Sequence, residues 1–391
     1  MLSSAPSAGL KRRSGIALCF SLLFIWLVSF CFPETLATLE ERSSDAIWRR
    51  LADARTERRI IVVDIDETSL ARLGPWPWPR GRIEKISQRL AEEGAALQVF
   101  DIFLPTAKEG DSSLAATLAK NHGVLSQVFS LNDAKARQGQ LAGALAWPAC
   151  PPLFPEASDY LANAAAFSDL PVGHITPRLS ENGNVRQQPA IICHEGHAYP
   201  ALFLAAALAG AGNAPLEIVS NSRFAGLSAS LLAPDWTLHG LPFSRRGIPL
   251  DRAGNVRIPW LIRPDALLSI SAVDLLDRRV PTGLLDNAWA LIGSTALGIN
   301  DRIATPFSNL GAGLMVHAEL LAGLLEDTLP AQPHLARLYE SLVGLLAAAA
   351  LYILSQRSRR RVQCLLLGAV AAGLVIFCHY EIGRASCRER V

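Results

Sequence analysis

Three carboxylates at the ends of two predicted strands are the first candidates for chemistry. Asp64 and Asp66 close the apolar run 59–66, and Asp101 ends the core of the next predicted strand, 96–104. Side chains two residues apart on a strand point the same way, so Asp64 and Asp66 should share a face. The ends of parallel strands open onto the usual ligand crevice, where three carboxylates could hold Mg²⁺ or Ca²⁺. The alternative, which we favour, is that these carboxylates accept hydrogen bonds and brace the loops.

An enzymatic alternative rests on the segment VDIDET, residues 63–68. It resembles the D-x-D-x-T signature of haloacid-dehalogenase-type phosphatases. That resemblance implies a Mg²⁺ site in which Asp64 is the nucleophile and Asp66 an acid and base. Ser294 or Thr295 could supply the downstream hydroxyl of such an enzyme. The acidic pair that the family carries at a later strand end is missing from this sequence, so the match is partial.

Two loops offer further binding groups. Prolines make the segment 76–80 stiff, and it could present the indoles of Trp76 and Trp78 and the guanidinium of Arg80 as a binding or dimer surface. Packing of this loop over the sheet edge is the alternative. The predicted strand 289–293 passes into a Gly/Ser/Thr turn that ends at Asp301. Backbone N–H groups of this turn could bind an anion, although the spacing of its residues is not that of a phosphate-binding P-loop.

Histidine and cysteine residues give weaker evidence for a functional site. His317 lies on a predicted apolar helix, and we interpret it as a buried structural histidine. Cys150 and Cys193 are the two cysteines between the apolar ends of the chain. They could form a disulfide in an oxidising compartment, and a pair of unlinked thiols is the alternative. No metal site follows from their spacing.

Composition favours a membrane protein. Half of the 391 residues are apolar, the net charge is +2 and the mean hydropathy is +0.24. Such a balance argues against disorder and makes nucleic acid a poor default partner. The apolar excess is concentrated in three segments about long enough to cross a bilayer. These predicted transmembrane helices are residues 14–32, 338–356 and 362–380.

Basic residues orient these spans. They precede the first span and fill the loop 357–361 between the last two, so 1–13 and 357–361 should be cytoplasmic. Residues 33–335 then form one large extracytoplasmic domain of a multi-pass protein in the bacterial inner membrane. A cleaved signal peptide is the alternative for the first span.

The last residues, 381–391, read EIGRASCRERV and share nothing with the apolar helix that they interrupt. Back-translation gives a widely used short-read sequencing adapter read in frame. We therefore treat this tail as an artefact and leave it out of the fold prediction. We expect the natural chain to continue past Tyr380.

Strand and helix patterns alternate along the extracytoplasmic domain. Strands are predicted at 59–66, 96–104, 123–131, 183–192, 256–261 and 289–293. Helices are predicted at 36–51, 82–93, 112–120, 199–211, 271–276 and 313–326. Short links between alternating elements predict an α/β fold, with a largely parallel or mixed sheet flanked by helices.

Several segments occur in the order of one known family. They are VVDIDETSLARLGPWPWPR, FDIFLP, GNVR, YPALFLAAAL, SAVDLL, LIGSTALGINDRIATPF and GLMVHAELLAGLL. Over residues 40–330 the chain thus resembles the second class of CHASE domains, the extracytoplasmic sensors of bacterial receptors. The resemblance implies one span before the sensor, usually three after it, and then a cytoplasmic output domain. Outputs in the family are histidine kinases, adenylate cyclases, Ser/Thr kinases and diguanylate cyclases.

We therefore predict the sensor and membrane part of a transmembrane receptor, truncated before its output domain and not itself an enzyme. Its partners would be membrane lipid, an undefined extracytoplasmic small molecule or protein, and a second copy of the chain. The family's ligands are largely undefined, so the resemblance assigns no binding residue and no cofactor. Motif positions of the family are matched by Asp64, Asp66, Trp78, Pro79, Arg80, Asp101, Asp301 and Pro306. The alternative function is a membrane-anchored Mg²⁺-dependent phosphatase.

Overall fold

The computed structural model describes residues 43–53, 56–132, 137–179, 184–220, 233–296, 302–308 and 310–332. Outside these ranges lie the predicted segments 1–13, 14–32, 338–356, 357–361, 362–380 and 381–391. Within the described part of the chain, no helix is long and apolar enough to cross a membrane. Apart from the helical residues 43–47, the elements named below belong to the unit Trp48–Gln332.

The strands are β1 (Glu57–Asp64), β2 (Leu97–Phe100), β3 (Gly123–Ser130), β4 (Arg137–Gln138), β5 (Asp159–Leu161), β6 (Val172–His174), β7 (Arg178–Leu179), β8 (Val185–Pro189), β9 (Ile191–His194), β10 (His197–Pro200), β11 (Glu217–Ser220), β12 (Trp236–His239), β13 (Ile248–Leu250), β14 (Asn255–Arg257), β15 (Leu267–Ser271), β16 (Trp289–Gly293), β17 (Arg302–Ile303) and β18 (Gly311–Ala312). The helices are α1 (Glu67–Leu73), α2 (Arg80–Glu92), α3 (Asp111–Lys120), α4 (Leu202–Gly210), α5 (Ala272–Leu276) and α6 (Leu314–Leu325). Residues 43–51 are also helical, and a 3₁₀ turn lies at Ala165–Phe167.

The main sheet is parallel at its centre and mixed at one edge. Its strand order is β15-β1-β16-β2-β3-β5-β4, with β6 also paired to β3. Neighbours from β15 to β3 are parallel, and β6 is parallel to β3, whereas β5 is antiparallel to β3. This arrangement confirms the predicted α/β fold with a largely parallel or mixed sheet.

Both faces of this sheet are covered by helices. Ile60 and Val62 of β1 belong to one apolar core, with residues of α4 and α6, while Ile61 and Val63 belong to another, with residues of α2, α3 and α5. The apolar run of β1 is continuous because a parallel strand between two helical layers is buried on both sides. Helix α4 is apolar all round, as expected of a fully buried helix, and its first seven residues are all buried.

The predicted strand 183–192 is in fact two strands. Its first part, β8, pairs with β14 and β7, whereas β9 pairs with β10 in a different sheet. The break follows Pro189, which has no backbone N–H to continue a ladder. Ala190, between the two strands, donates its N–H to the carbonyl oxygen of Gly254.

A disulfide joins Cys150 to Cys193, and their Cα atoms are 5.7 Å apart. Cys193 lies in β9, and Cys150 lies in an Ala- and Pro-rich stretch between β4 and β5. The cross-link therefore ties this irregular stretch to the domain. Of the two alternatives that the sequence left open, the structure contains the disulfide.

Candidate functional site

Asp64 holds the loop that follows the neighbouring strand. It is the last residue of β1, and its Oδ1 accepts a hydrogen bond from the Thr295 N–H at 2.8 Å. Its Oδ2 accepts another from the Thr295 hydroxyl at 2.6 Å. Burial raises the pKa of Asp64, and the hydrogen bonds from Thr295 act in the opposite direction. Because both oxygens bind one residue of the loop after β16, Asp64 braces that loop and is poorly placed for nucleophilic attack.

Asp66 begins a helix instead of ending the strand. It is the N-cap of α1, where its Oδ1 accepts hydrogen bonds from the Ser69 N–H and the Ser271 hydroxyl, both at 2.8 Å. Burial alone would raise the pKa of Asp66, but the bonds from Ser69 and Ser271 outweigh it and lower the pKa. The expected shared strand face of Asp64 and Asp66 is therefore wrong, because β1 ends at Asp64.

The loop containing Trp78 and Arg80 packs inward. Trp78 is fully buried, and its Nε1 donates to the carbonyl oxygen of Gly74 at 2.8 Å. Arg80, also buried, forms an ion pair of 2.5 Å with Asp111 and donates to the Thr106 carbonyl at 2.8 Å. For Trp78 and Arg80, the interpretation as an exposed binding or dimer surface is wrong, whereas Trp76 is partly buried and lines the cavity described below. The side chains of this segment fix the start of α2 against the start of α3, as the packing alternative predicted.

The described residues do not form the candidate cation site at Asp64, Asp66 and Asp101. Over the described ranges, no group of three or more His, Cys, Asp or Glu side chains could hold a metal ion. Asp101 has an interaction partner of its own, and Asp301 lies outside the described residues. The hydrogen bonds of Asp64 and Asp66 instead match the bracing interpretation.

A cavity of about 490 Å³ opens at the carboxyl edge of the parallel strands. Small-molecule sites prefer such a position, at the strand ends of an α/β sheet. The lining from these strand ends and from the first turn of α6 includes Ile65, Asp101, Ile102, Ser294, Leu314 and His317. The braced loop after β16 therefore forms part of the cavity wall.

Sequence reasoning missed one polar side chain of the cavity wall, Gln188, whereas the predicted burial of a second one, His317, is confirmed. Gln188 of β8 is fully buried, and its Oε1 has no hydrogen-bond partner among the described residues. His317, on α6, is 4% exposed, and its Nδ1 likewise has no partner in the described part of the chain. Burial lowers the pKa of His317 to about 4. The sequence signal for Gln188 was a polar pair, Gln-Gln, directly before the apolar residues 189–192.

Helix α6 also carries a buried carboxyl group, that of Glu319, which binds the backbone at 261–262. Glu319 accepts hydrogen bonds from the backbone N–H groups of Leu261 at 3.0 Å and Ile262 at 3.1 Å. Burial raises the pKa of Glu319 to about 8, against the lowering effect of these two donors. The carbonyl oxygen of Leu261 accepts from the N–H of Asp53 at 2.7 Å. Leu261 thus connects the entering chain to α6.

A second link joins the end of α6 to the start of β1. The Arg59 guanidinium lies 3.0 Å from the carboxylate of Glu326, the C-cap of α6, and also pairs with Glu57. The partly exposed Arg59–Glu326 pair adds little stability by itself. The pair matters because it holds the C-terminal end of α6 beside the N-terminal end of β1.

Comparison with known proteins gives one family. A family model described as CHASE2 domain matches residues 18–355. The match begins inside the first predicted span and ends inside the second. No curated protein and no solved structure matches this chain.

Replacement of Asp64 tests its bracing role. We expect Asp64→Ala to lower the free energy of unfolding by about 1–3 kcal/mol, because Thr295 then loses both acceptors. Thr295→Val should cost less, since the backbone donor remains. Urea denaturation of the full chain, followed by tryptophan fluorescence, measures each value and that of the double variant.

In that cycle the two losses should be clearly non-additive. Additive losses would contradict the bracing role. Mg²⁺-dependent hydrolysis of a generic phosphate ester that is abolished by Asp64→Ala would instead favour the phosphatase alternative.

The raised pKa of Glu319 predicts a pH-dependent stability. Between pH 4.5 and 8 the folded chain keeps a proton on Glu319 that the unfolded chain releases, so stability should fall as pH rises through this window. Glu319→Gln cannot titrate, and the stability of the wild type relative to this variant should decline by up to a few kcal/mol. Urea denaturation of both proteins from pH 5 to 9 checks this.

His174 and His317, whose pKa values burial lowers to about 3 and about 4, are present in both proteins, so their contributions cancel. A stability difference that stays constant across the pH range would show that Glu319 titrates normally.

Proposed function

Because this chain belongs to the CHASE2 family, whose members are extracytoplasmic sensor domains of signalling receptors, we propose that it is the sensing and membrane part of a bacterial transmembrane receptor. CHASE2 domains are not catalytic. In this proposal the spans 14–32, 338–356 and 362–380 anchor the chain in the inner membrane. A cytoplasmic kinase or nucleotide cyclase domain, in the longer natural chain, provides the output.

The observation that carries the proposal is the position of α6. Its first turn lines the cavity through Leu314 and His317, and its middle binds Leu261 and Ile262 through Glu319. Beyond α6 the chain leads to the predicted span 338–356. One rigid helix therefore connects a candidate ligand site to the route toward the membrane.

Signalling would use a difference in ligand affinity between two positions of α6. A ligand shifts a conformational equilibrium only as far as it binds one state more tightly than the other. The hydrogen bonds to Leu261 and Asp53 would pass a movement of α6 to the entering segment. In a homodimer, which we propose from the receptor class, two such helices would move together.

Cysteine accessibility tests the proposed topology. In a background in which the cysteines outside the disulfide are replaced, Leu179→Cys introduces a thiol at a position that is 62% exposed. Ser358→Cys introduces one in the predicted cytoplasmic loop. We expect a membrane-impermeant maleimide to label the Leu179→Cys chain in intact spheroplasts and the Ser358→Cys chain only after lysis. Labelling of the Leu179→Cys chain only after lysis would overturn the proposal.

A further inference from the structure

The cavity at the carboxyl edge of the sheet combines apolar walls with buried polar groups that lack partners in the described part of the chain. We propose that it binds a small, uncharged and largely apolar molecule that donates a hydrogen bond to Oε1 of Gln188. This inference rests on the proposed sensor function and specifies the chemistry of its ligand.

The residues that line the cavity favour an apolar, uncharged ligand. Among the described lining residues there is no lysine or arginine, so an anion would find no counter-charge. Asp101 is the one carboxylate of that described lining, and it already has an interaction of its own. A charge moved from water into such a site must be paired, whereas apolar surface gains free energy there. The volume of about 490 Å³ lies within the range of roughly 300–1,000 Å³ for small-molecule sites.

The side chain of Gln188 determines which polar group the ligand carries. Its Nε2 donates to the carbonyl oxygen of Thr176 at 2.8 Å, so the donor end of the amide is committed to the protein. The acceptor end, Oε1, is buried and has no donor among the described residues. A buried acceptor without a donor is unfavourable. The complementary group on the ligand is therefore a hydroxyl or N–H donor.

His317 extends the same polar recognition onto α6. Its Nδ1 is buried without a partner in the described ranges, and burial lowers the pKa of the imidazole to about 4, so the ring is neutral at pH 7. A neutral imidazole can donate or accept one hydrogen bond without adding charge. Because His317 lies in the first turn of α6, a ligand beside it would contact the helix that leads toward the membrane.

Indole and benzofuran form a matched pair of probes. They have nearly the same shape, but only indole carries an N–H donor. Ligand-observed NMR on the full chain in lipid nanodiscs, with protein-free nanodiscs as blank, measures their affinities. We expect indole to bind at least about fivefold more tightly than benzofuran, as one additional neutral hydrogen bond allows. Indole-3-carboxylate and 3-(aminomethyl)indole should bind more weakly than indole.

A matched variant pair assigns the effect to Gln188. Gln98 is an equally buried glutamine whose Nε2 also donates to a backbone carbonyl and whose Oε1 also lacks a partner in the described chain, but it does not line the cavity. Gln188→Leu should bring the indole-to-benzofuran preference close to one. Gln98→Leu should leave it unchanged. If Gln188→Leu does not fold, the preference of the wild type alone decides.

Four outcomes would each overturn the proposal. The two neutral probes could bind equally, or neither could bind. A charged probe could bind more tightly, or the preference for indole could survive in Gln188→Leu. These outcomes would leave the maleimide labelling of the Leu179→Cys chain unaffected, so the ligand assignment can fail while the receptor topology stands. The opposite labelling pattern would remove the sensor function itself.

Discussion

The parallel pairing of β1 with two strands from the second half of the chain is the constraint on which the site depends. β15 and β16 lie on either side of β1, more than 200 residues away in sequence. This pairing brings Thr295 to the carboxylate of Asp64 and Ser271 to that of Asp66. The loops that those bonds hold form the carboxyl edge of the sheet, where the cavity lies. Without this pairing, neither the brace nor the cavity wall would exist.

Helix α6 is the element through which the proposed signal would pass. It packs on the opposite face of the sheet from α2, α3 and α5, in the same core as α4. Its contacts with the rest of the domain are apolar except at a few points, and these are informative: His317 at the cavity, Glu319 at Leu261, and Glu326 at Arg59. Arg59 lies at the start of β1, and Leu261 accepts a hydrogen bond from Asp53 in the entering segment. In the proposed mechanism, a displacement of α6 would reach the entering segment through these contacts.

Much of the fold could be predicted because its strands and helices have strong local patterns. The strand Trp289–Gly293 was predicted with the bounds that it has, since a short apolar run between turn residues is typical of a buried parallel strand. The strand 183–192 was predicted as one element because alternation alone does not show which partner each half has. The roles of individual side chains were harder to predict. Whether Trp78 and Arg80 face solvent depends on Asp111 and Gly74, which sequence spacing does not place. Gln188 became a candidate binding residue only after the structure placed it in the cavity wall.

The central claim is that the cavity and the entering segment are coupled through α6, and amide hydrogen exchange tests it most directly. The N–H groups of Leu261 and Ile262 donate to Glu319, so their exchange rates report this link. The account predicts that saturation of the full chain with indole changes exchange in the first turn of α6 and also at Leu261 and Ile262, and that Glu319→Ala abolishes the second change. A change confined to the cavity wall would contradict the coupling.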